Sequence, residues 1–246
     1  MQRRQQKEDH MAEIIKIDES TWRFEDDFVR FFLLVGSEKA MMIDSGVKCP
    51  EALDLAKTLT DKPVILLNTH GDGDHVSGTG SFSEIYMHPS DFTGCEVDKR
   101  FPEIKLVELH DGDLIDLGGR PLKIIHIPGH TSGSVAILDV NNRVLYAGDS
   151  VQKGHIFMFG NKREPDNFEA SLDKLIALQS EYDIIYASHA DPSVPGDYAS
   201  KVKEAWISVR NGEVPFEEVD MFGNKVKSYT TSSCGFFVEQ KELWKS

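Results

Sequence analysis

Apolar and polar positions divide the chain into many short strand-like runs and a few amphipathic helices. From Ala12 to Ile43 the pattern is strand-like. Ile14-Ile15-Lys16-Ile17, Val29 to Val35 and Ala40 to Ile43 are rich in branched and aromatic residues, with turn signals at Glu25-Asp26-Asp27 and Gly36-Ser37. Pro50 is expected to open a helix whose stripe is Ala52, Leu55, Ala56 and Leu59. Val64 to Leu67 reads as a buried strand and Ile85-Tyr86-Met87 as a short one. Leu106 to Leu109, Leu114 to Leu117 and Leu122 to Ile127 form a block punctuated by Asp111-Gly112 and Gly118-Gly119. Val135 to Leu138 and Val144 to Ala147 read as a hairpin around Asn141-Asn142. Asp166 and Glu169 have capping-box spacing ahead of Phe168, Leu172, Leu175 and Ile176, which predicts a helix. Ile184 to Ala187 is a strand, and a last helix runs from about Tyr198 to Arg210, stopped by Asn211-Gly212. Val226 to Tyr229 and Gly235 to Val238 are expected as edge strands. Strands alternating with helices imply an α/β (α+β) fold, sheet covered by helix. No repeat or linker divides it, so a single domain over 11–246 is expected behind a polar tail, 1–10.

The candidate chemistry sits just past the ends of these strands. After Val64 to Leu67 comes Asn68-Thr69-His70-Gly71-Asp72-Gly73-Asp74-His75. Two imidazoles and two carboxylates within six residues exceed what one tetrahedral ion takes from one loop, and they suit a pair of ions. The two glycines are expected to let the chain turn there. His130, Asp149 and His189 likewise follow strand ends, and strands on one rim can converge on one cleft. Asp44, after Ala40 to Ile43, reads either as a carboxylate that orients a ligand or as a turn cap before Gly46. His126 alternates with Ile124 on a strand and reads as a strand histidine; His88 reads as structural or surface. Val151 to Pro165 shows no clear element. It carries Lys153, His155 and Ile156-Phe157-Met158-Phe159, and reads either as a substrate-facing rim or as a packed loop or subunit contact.

Taken together these segments resemble the metallo-β-lactamase superfamily. The first is similar to its H-x-H-x-D-H signature, with Asp72 where the second His usually stands. Gly129 to Ser134 resembles the G-H-T-x-G-S segment, Ala147 to Ser150 the G-D segment, Ser188-His189 the final ligand, and Ile43 to Gly46 the D-x-G turn. The resemblance runs from about Phe28 to about Asp191. It implies a four-layer αββα sandwich. It also implies one metal on His70, Asp72 and His130, a second on Asp74, His75 and His189, and Asp149 bridging, with Asp74 assigned a catalytic part. The implied cofactor is two divalent ions: zinc first, with iron or manganese admitted by the hard donor Asp72.

Composition narrows the partners. Forty-one Asp and Glu against 27 Lys and Arg give a net charge of −14. Such a surface repels phosphate backbones and anionic lipid, so neither nucleic acid nor membrane is expected as a partner, and a small-molecule substrate is. Cys49, Cys95 and Cys234 are scattered and odd in number, which reads as reduced thiols in a cytoplasmic protein. The charged start lacks the apolar stretch of an export signal, which weighs against the antibiotic-degrading branch. An obvious basic helical cap for glutathione thioesters and room for a nuclease branch's inserted domain are both lacking.

The first expectation is therefore a dinuclear metal-dependent hydrolase using a metal-bound hydroxide on an ester, thioester, lactone or phosphoester. Two alternatives stand beside it. Asp72 adds a carboxylate where flavodiiron proteins also place one, which suggests a di-iron protein that reduces or senses oxygen. The third reading is a non-catalytic member of the fold.

Overall fold

A computed structural model describes residues 12–239. The polar tail expected over 1–10 and the last residues of the expected domain lie outside the described residues.

Among the described residues, β1 (Glu13–Asp18), β2 (Thr21–Asp26), β3 (Val29–Val35) and β4 (Ala40–Ile43) form an antiparallel meander. α1 (Ala52–Lys57) then carries the chain to β5 (Val64–Leu67), which pairs parallel with β4. β6 (Glu84–Met87), α2 (Pro89–Phe92), α3 (Glu96–Arg100) and β7 (Lys105–Glu108) complete a seven-stranded sheet in chain order. The switch from antiparallel to parallel follows the connections, because a parallel neighbour needs a crossover.

The chain continues through β8 (Leu114–Asp116), β9 (Pro121–His126), β10 (Val135–Asp139), β11 (Val144–Tyr146) and β12 (His155–Met158). Then come α4 (Pro165–Ala177), β13 (Ile184–Tyr186), β14 (Ser193–Pro195), α5 (Tyr198–Arg210), β15 (Phe216–Met221), β16 (Asn224–Thr230) and β17 (Gly235–Glu239). A second sheet has the order β14-β13-β11-β10-β9-β8, and a third the order β12-β17-β16-β15.

Strand alternation builds the layers. In β3, Phe31 and Leu33 face the core beneath α1 and α3, while Phe32 and Leu34 face the core between the two large sheets. In β10, Val135 and Ile137 enter that inter-sheet core, and Ala136 and Leu138 face α4 and α5. Helix, sheet, sheet and helix therefore stack as four αββα layers. Every residue of β4 and β10 is buried, as expected of strands covered on both faces. Arg120 bridges the large sheets: it pairs with buried Asp139 at 2.6 Å and donates to Ser20 O of the first sheet at 2.7 Å.

The structure corrects several expected elements. α4 starts one residue before the expected cap, since Pro165, with its φ preset, takes the first turn; Asp166 lies inside the helix and the capping box does not form. Pro50 lies ahead of α1, which starts at Ala52. The stretch from Val151 to Pro165 contains β12, and the C-terminal strands join it in a third sheet rather than adding to the edges of the large ones. β15, with the exposed sequence Phe216-Glu217-Glu218, has too little apolar content to be read as a strand; it exists because β16 pairs with it. None of the helices among the described residues is long and apolar enough to cross a membrane.

Candidate metal centre

His70, Asp72, Asp74 and His75 leave the C-terminal end of β5 together. The short helix Gly73–His75 turns His75 inward. Neither Gly71 nor Gly73 has the positive φ that a glycine-dependent turn would need. Gly71 is required by crowding instead: a Cβ there would lie 2.8 Å from Cys95 Cβ and 3.0 Å from Asp91 O. Asp91 accepts from Gly71 N at 2.7 Å and from Thr131 Oγ1 at 2.8 Å, which ties the His70 loop to the loop carrying His130. Asp149 follows β11 across Gly148, whose φ of +52° and approach to Thr69 suit glycine alone. His189 sits in the turn between β13 and β14, held by Arg30, which donates to Ala190 O at 2.8 Å and to Ala187 O at 3.2 Å.

All seven candidate ligands meet. His70, Asp72 and His130 form one group, Asp74, His75 and His189 another, and Asp149 lies between them. In the first group His70 Nε2 is 3.2 Å from His130 Nε2 and 3.6 Å from Asp72 Oδ2, and His130 Nε2 is 3.3 Å from the same oxygen. In the second, Asp74 Oδ2 is 3.7 Å from His75 Nε2 and 3.3 Å from His189 Nε2. Asp149 offers Oδ1 to His75 Nε2 at 3.4 Å and Oδ2 to His189 at 3.2 Å and His130 at 3.6 Å.

These atoms fit divalent ions. Ligand atoms around a tetrahedral ion with bonds of ~2.1 Å lie ~3.4 Å apart, close to the separations within each group. His75 Nε2 and Asp149 Oδ1 are buried and, though 3.4 Å apart, form no hydrogen bond to each other or to any other group, which leaves both turned to the centre where an ion would satisfy them. Each of the four imidazoles keeps Nδ1 on a partner and turns Nε2 inward. The partners are Thr69 Oγ1 for His70 (3.0 Å), Asp44 Oδ2 for His75 (2.9 Å), Phe157 O for His130 (3.0 Å) and Phe28 O for His189 (2.9 Å). Fixing the outer nitrogen in this way orients a metal-binding histidine.

Asp44 touches both the Thr69 backbone and His75. It is buried in a left-handed conformation (φ +62°), accepts from Thr69 N at 2.7 Å and Thr69 Oγ1 at 2.8 Å, and holds His75. Replacing Asp44 with Ala is expected to weaken metal binding 10–100-fold, as loss of such partners does, with little change in the far-UV circular dichroism. Competition with a chromophoric chelator measures it; wild-type affinity would remove Asp44 from the site.

The charges sort in a consistent way. Burial pushes the Asp149 carboxyl up, but His189 and His75 outweigh it and hold it well below the carboxylate range. Burial works against a protonated His75, yet Asp149, Asp74 and Asp44 raise it well above its ordinary value; His189 is raised to about 10 by Asp149 and Asp74. Asp72 is held well below its usual range against burial by His130, His70 and Arg163.

Arg163 is the residue that sequence reasoning missed. Its Nη2 lies 2.6 Å from Asp72 Oδ2 and its Nη1 3.2 Å from Oδ1, a two-pronged pair with the guanidinium almost wholly shielded from water. The extra negative charge that Asp72 brings in place of a histidine is thus cancelled within the same side-chain pair. The two positions are 91 apart in the chain, so no local spacing announces the pair.

The stretch from Val151 to Pro165 splits its expected roles along the alternation of β12. Ile156 and Met158 join the core beneath α4 and α5, whereas His155 and Phe157 line the cavity over the centre. Lys153 pairs with Asp191 outside that lining. The other two histidines named from the sequence lie elsewhere. His88 stacks on His126 with ring centroids 3.9 Å apart, and its Nδ1 accepts from Ser90 N at the start of α2. Burial, reinforced by His126 and His110, pushes His88 down to about 4. Its folded value lies below the unfolded ~6.5, so its contribution to stability is complete above that pH and is lost as pH falls toward 4. With chelator present, His88→Asn, which keeps a cap acceptor, is expected to lose less stability than wild type across this window, by on the order of 1 kcal/mol. Denaturant titrations at pH 6.5 and 4.5 test this; equal losses would show that the ring is not held neutral.

The model of the Metallo-beta-lactamase superfamily matches residues 25–189. The acyl-coenzyme A thioesterase MBLAC2 of Homo sapiens is 24% identical over 186 residues, 60% of this chain and 67% of that protein. The hydroxyacylglutathione hydrolase of Roseobacter denitrificans is 31% identical over 150 residues, 58% of this chain and 56% of that protein. The chain thus spans only about half to two thirds of these relatives' length. Among solved structures, a metallo-beta-lactamase from Pontibacter korlensis superposes with a TM-score of 0.68 at 16% identity, over 80% of this chain and 99% of that one. A metallo-beta-lactamase family protein from Thermus thermophilus does so with 0.62 at 21%, over 76% and 77%. At such identities the likeness shows the fold.

Proposed function

The chain belongs to the metallo-beta-lactamase superfamily, and from that premise we propose that it is a dinuclear metal-dependent hydrolase of an ester, thioester, lactone or phosphoester. The observation that carries this reading is the convergence of four imidazoles, each oriented through Nδ1, and three carboxylates on two adjacent positions that share Asp149. Two divalent ions held there supply an acidified water and polarise the oxygen that becomes negative in the transition state. The chain's own residues do the rest. Asp149 sets the spacing of the two groups. Asp74 lines the cavity, and the carboxylate oxygen it does not turn to His75 and His189 would be the nearby acceptor for a proton released at the centre. Arg163 keeps Asp72 charged and oriented.

The acyl-coenzyme A thioesterase and hydroxyacylglutathione hydrolase relatives support thioesters as the first of these substrates to try. The di-iron alternative rests on the carboxylate donor Asp72; Arg163 offsets its charge but leaves the oxygen donor in place. Three buried cysteines without a disulfide fit a reducing compartment, the cytoplasm. We expect close to two metal ions per chain after reconstitution, with zinc as the first choice. Elemental analysis tests it, and fewer than one ion per chain after zinc, manganese and iron have each been offered would overturn the dinuclear reading. A panel of model thioesters, esters and phosphoesters then identifies the bond cleaved.

A further inference from the structure

Over the metal centre lies a cavity of about 620 Å³. Its floor holds Asp72, Asp74, His130, Asp149 and His189, and its walls are aromatic. Phe28 comes from the turn between β2 and β3, Phe157 from β12, Phe159 from just beyond it, and Phe222 from the tip of the β15–β16 hairpin. Phe157 lies 5.5 Å from Phe159 and 6.5 Å from Phe222 between ring centroids, with the ring planes inclined at 30° and 29°. Segments far apart in sequence thus present four rings to one space.

Two of those rings stay largely in water, although Phe28 stacks on His189 and Phe222 on Phe157. Phe222 is 85% exposed and Phe28 57%, so neither is buried by folding. Phe222 also occupies a turn position with φ +56°, which a bulky residue adopts at a cost and which the glycine beside it would fill better. An aromatic side chain kept in water at the mouth of an active-site cavity gains by burial against a ligand.

The cavity's polar groups indicate what that ligand carries. Arg163 is already paired with Asp72, and His155 has its Nε2 near the Ser228 and Thr230 hydroxyls. No lysine among the described residues lines the space, so beyond the metal centre this lining offers no free cation for a carboxylate or phosphate. Gln152, almost fully buried and also in the lining, donates to His155 O and leaves its Oε1 without a partner, an acceptor suited to an N–H group.

We infer that this cavity selects its substrate by a bulky apolar acyl group, received between Phe28, Phe157, Phe159 and Phe222, with the scissile carbonyl on the metal centre. Phe222 is the specificity-determining residue at the mouth. The inference rests on the hydrolase reading for its chemistry and on the aromatic walls for its selectivity, and the two are tested separately.

The substrates are acetyl, octanoyl and phenylacetyl thioesters of N-acetylcysteamine, a small neutral thiol, given to the metal-loaded protein. The expected result is a kcat/KM at least about tenfold higher for the two bulky acyl groups than for acetyl, carried mainly by KM. Phe222→Ala is expected to reduce that preference about tenfold, and Phe222→Leu, which keeps an apolar side chain, to recover part of it. A second arm needs no turnover: binding of the non-hydrolysable thioether S-(2-naphthylmethyl)-N-acetylcysteamine, followed by naphthyl fluorescence, should weaken about tenfold in Phe222→Ala. Hydrolysis that is indifferent to acyl size and to Phe222 would overturn the inference and leave the hydrolase standing. Thioether binding that depends on Phe222 without hydrolysis of any thioester, ester or phosphoester would support the aromatic site and remove the hydrolase reading. Neither binding nor hydrolysis would overturn both.

Discussion

Asp149→Ala is expected to abolish the proposed hydrolysis, by more than the 10–100-fold expected for an outer hydrogen-bond partner, because it takes a carboxylate from both groups of candidate ligands at once. Oδ1 faces His75 and Oδ2 faces His189 and His130, so no other side chain can substitute for its span. Metal content should fall with activity. Asp149 follows β11 at the rim and contributes no apolar packing, so the circular dichroism spectrum should stay native. In metal-free protein the same change should lower stability, by up to about 3 kcal/mol, since His75 and His189 lose the carboxylate that favours their charged forms; either ring can shed its proton, which limits the loss. Elemental analysis, a thioester assay and chemical denaturation read these three outcomes. Wild-type metal content and turnover would end the bridging assignment.

The second large effect concerns Asp72. Replacing it with His restores the ligand commoner in the superfamily, and an argument from ligand chemistry alone expects tighter zinc binding. The structure predicts the opposite for the single substitution. Arg163, shielded and aimed at Asp72 through both terminal nitrogens, would be left facing an imidazole and a divalent ion. An uncompensated, largely buried cation is strongly unfavourable. Asp72→His alone should lose metal affinity and activity at least tenfold. Adding Arg163→Gln, which keeps a polar group of similar reach without the charge, should return most of both. Affinities of wild type, the two single variants and the double variant close a cycle whose coupling measures the pair. Additive losses would show that Arg163 does not compensate Asp72. Oxygen uptake with a reductant, run on the same four proteins, distinguishes the redox alternative: uptake by wild type that vanishes in Asp72→His would favour di-iron chemistry over hydrolysis.

Both predictions depend on which features are written locally in the chain. The ligands were legible because each lies next to a strand end and within a short stretch whose residue types are unusual together. His70 to His75 follow the apolar run of β5, and Asp149 and His189 the ends of β11 and β13. The near-continuous apolar runs of β3, β4 and β10 likewise marked strands, and the structure covers them on both faces. His88 was read apart because nothing in its spacing recruits it and His126 because it alternates with Ile124 on a strand, and the structure stacks the two on each other.

Where sequence reasoning stopped, the missing information was long-range. β15 has an exposed, charged sequence and is a strand only through its pairing with β16, so no local pattern marks it. The Nδ1 partners of His130 and His189 are backbone oxygens of Phe157 and Phe28, and a carbonyl carries no sequence signature. Asp44 remained ambiguous until its carboxylate was seen on His75. The sequence by itself determined that seven candidate ligands follow the strand ends of a mixed α/β chain, because strand pattern and ligand type are local properties; the αββα layering came from the resemblance those segments carry. Only the tertiary structure decided that Arg163 neutralises Asp72 and that four distant phenylalanines wall the cavity, because charge pairing and a shared surface depend on distances in space that residue spacing does not encode.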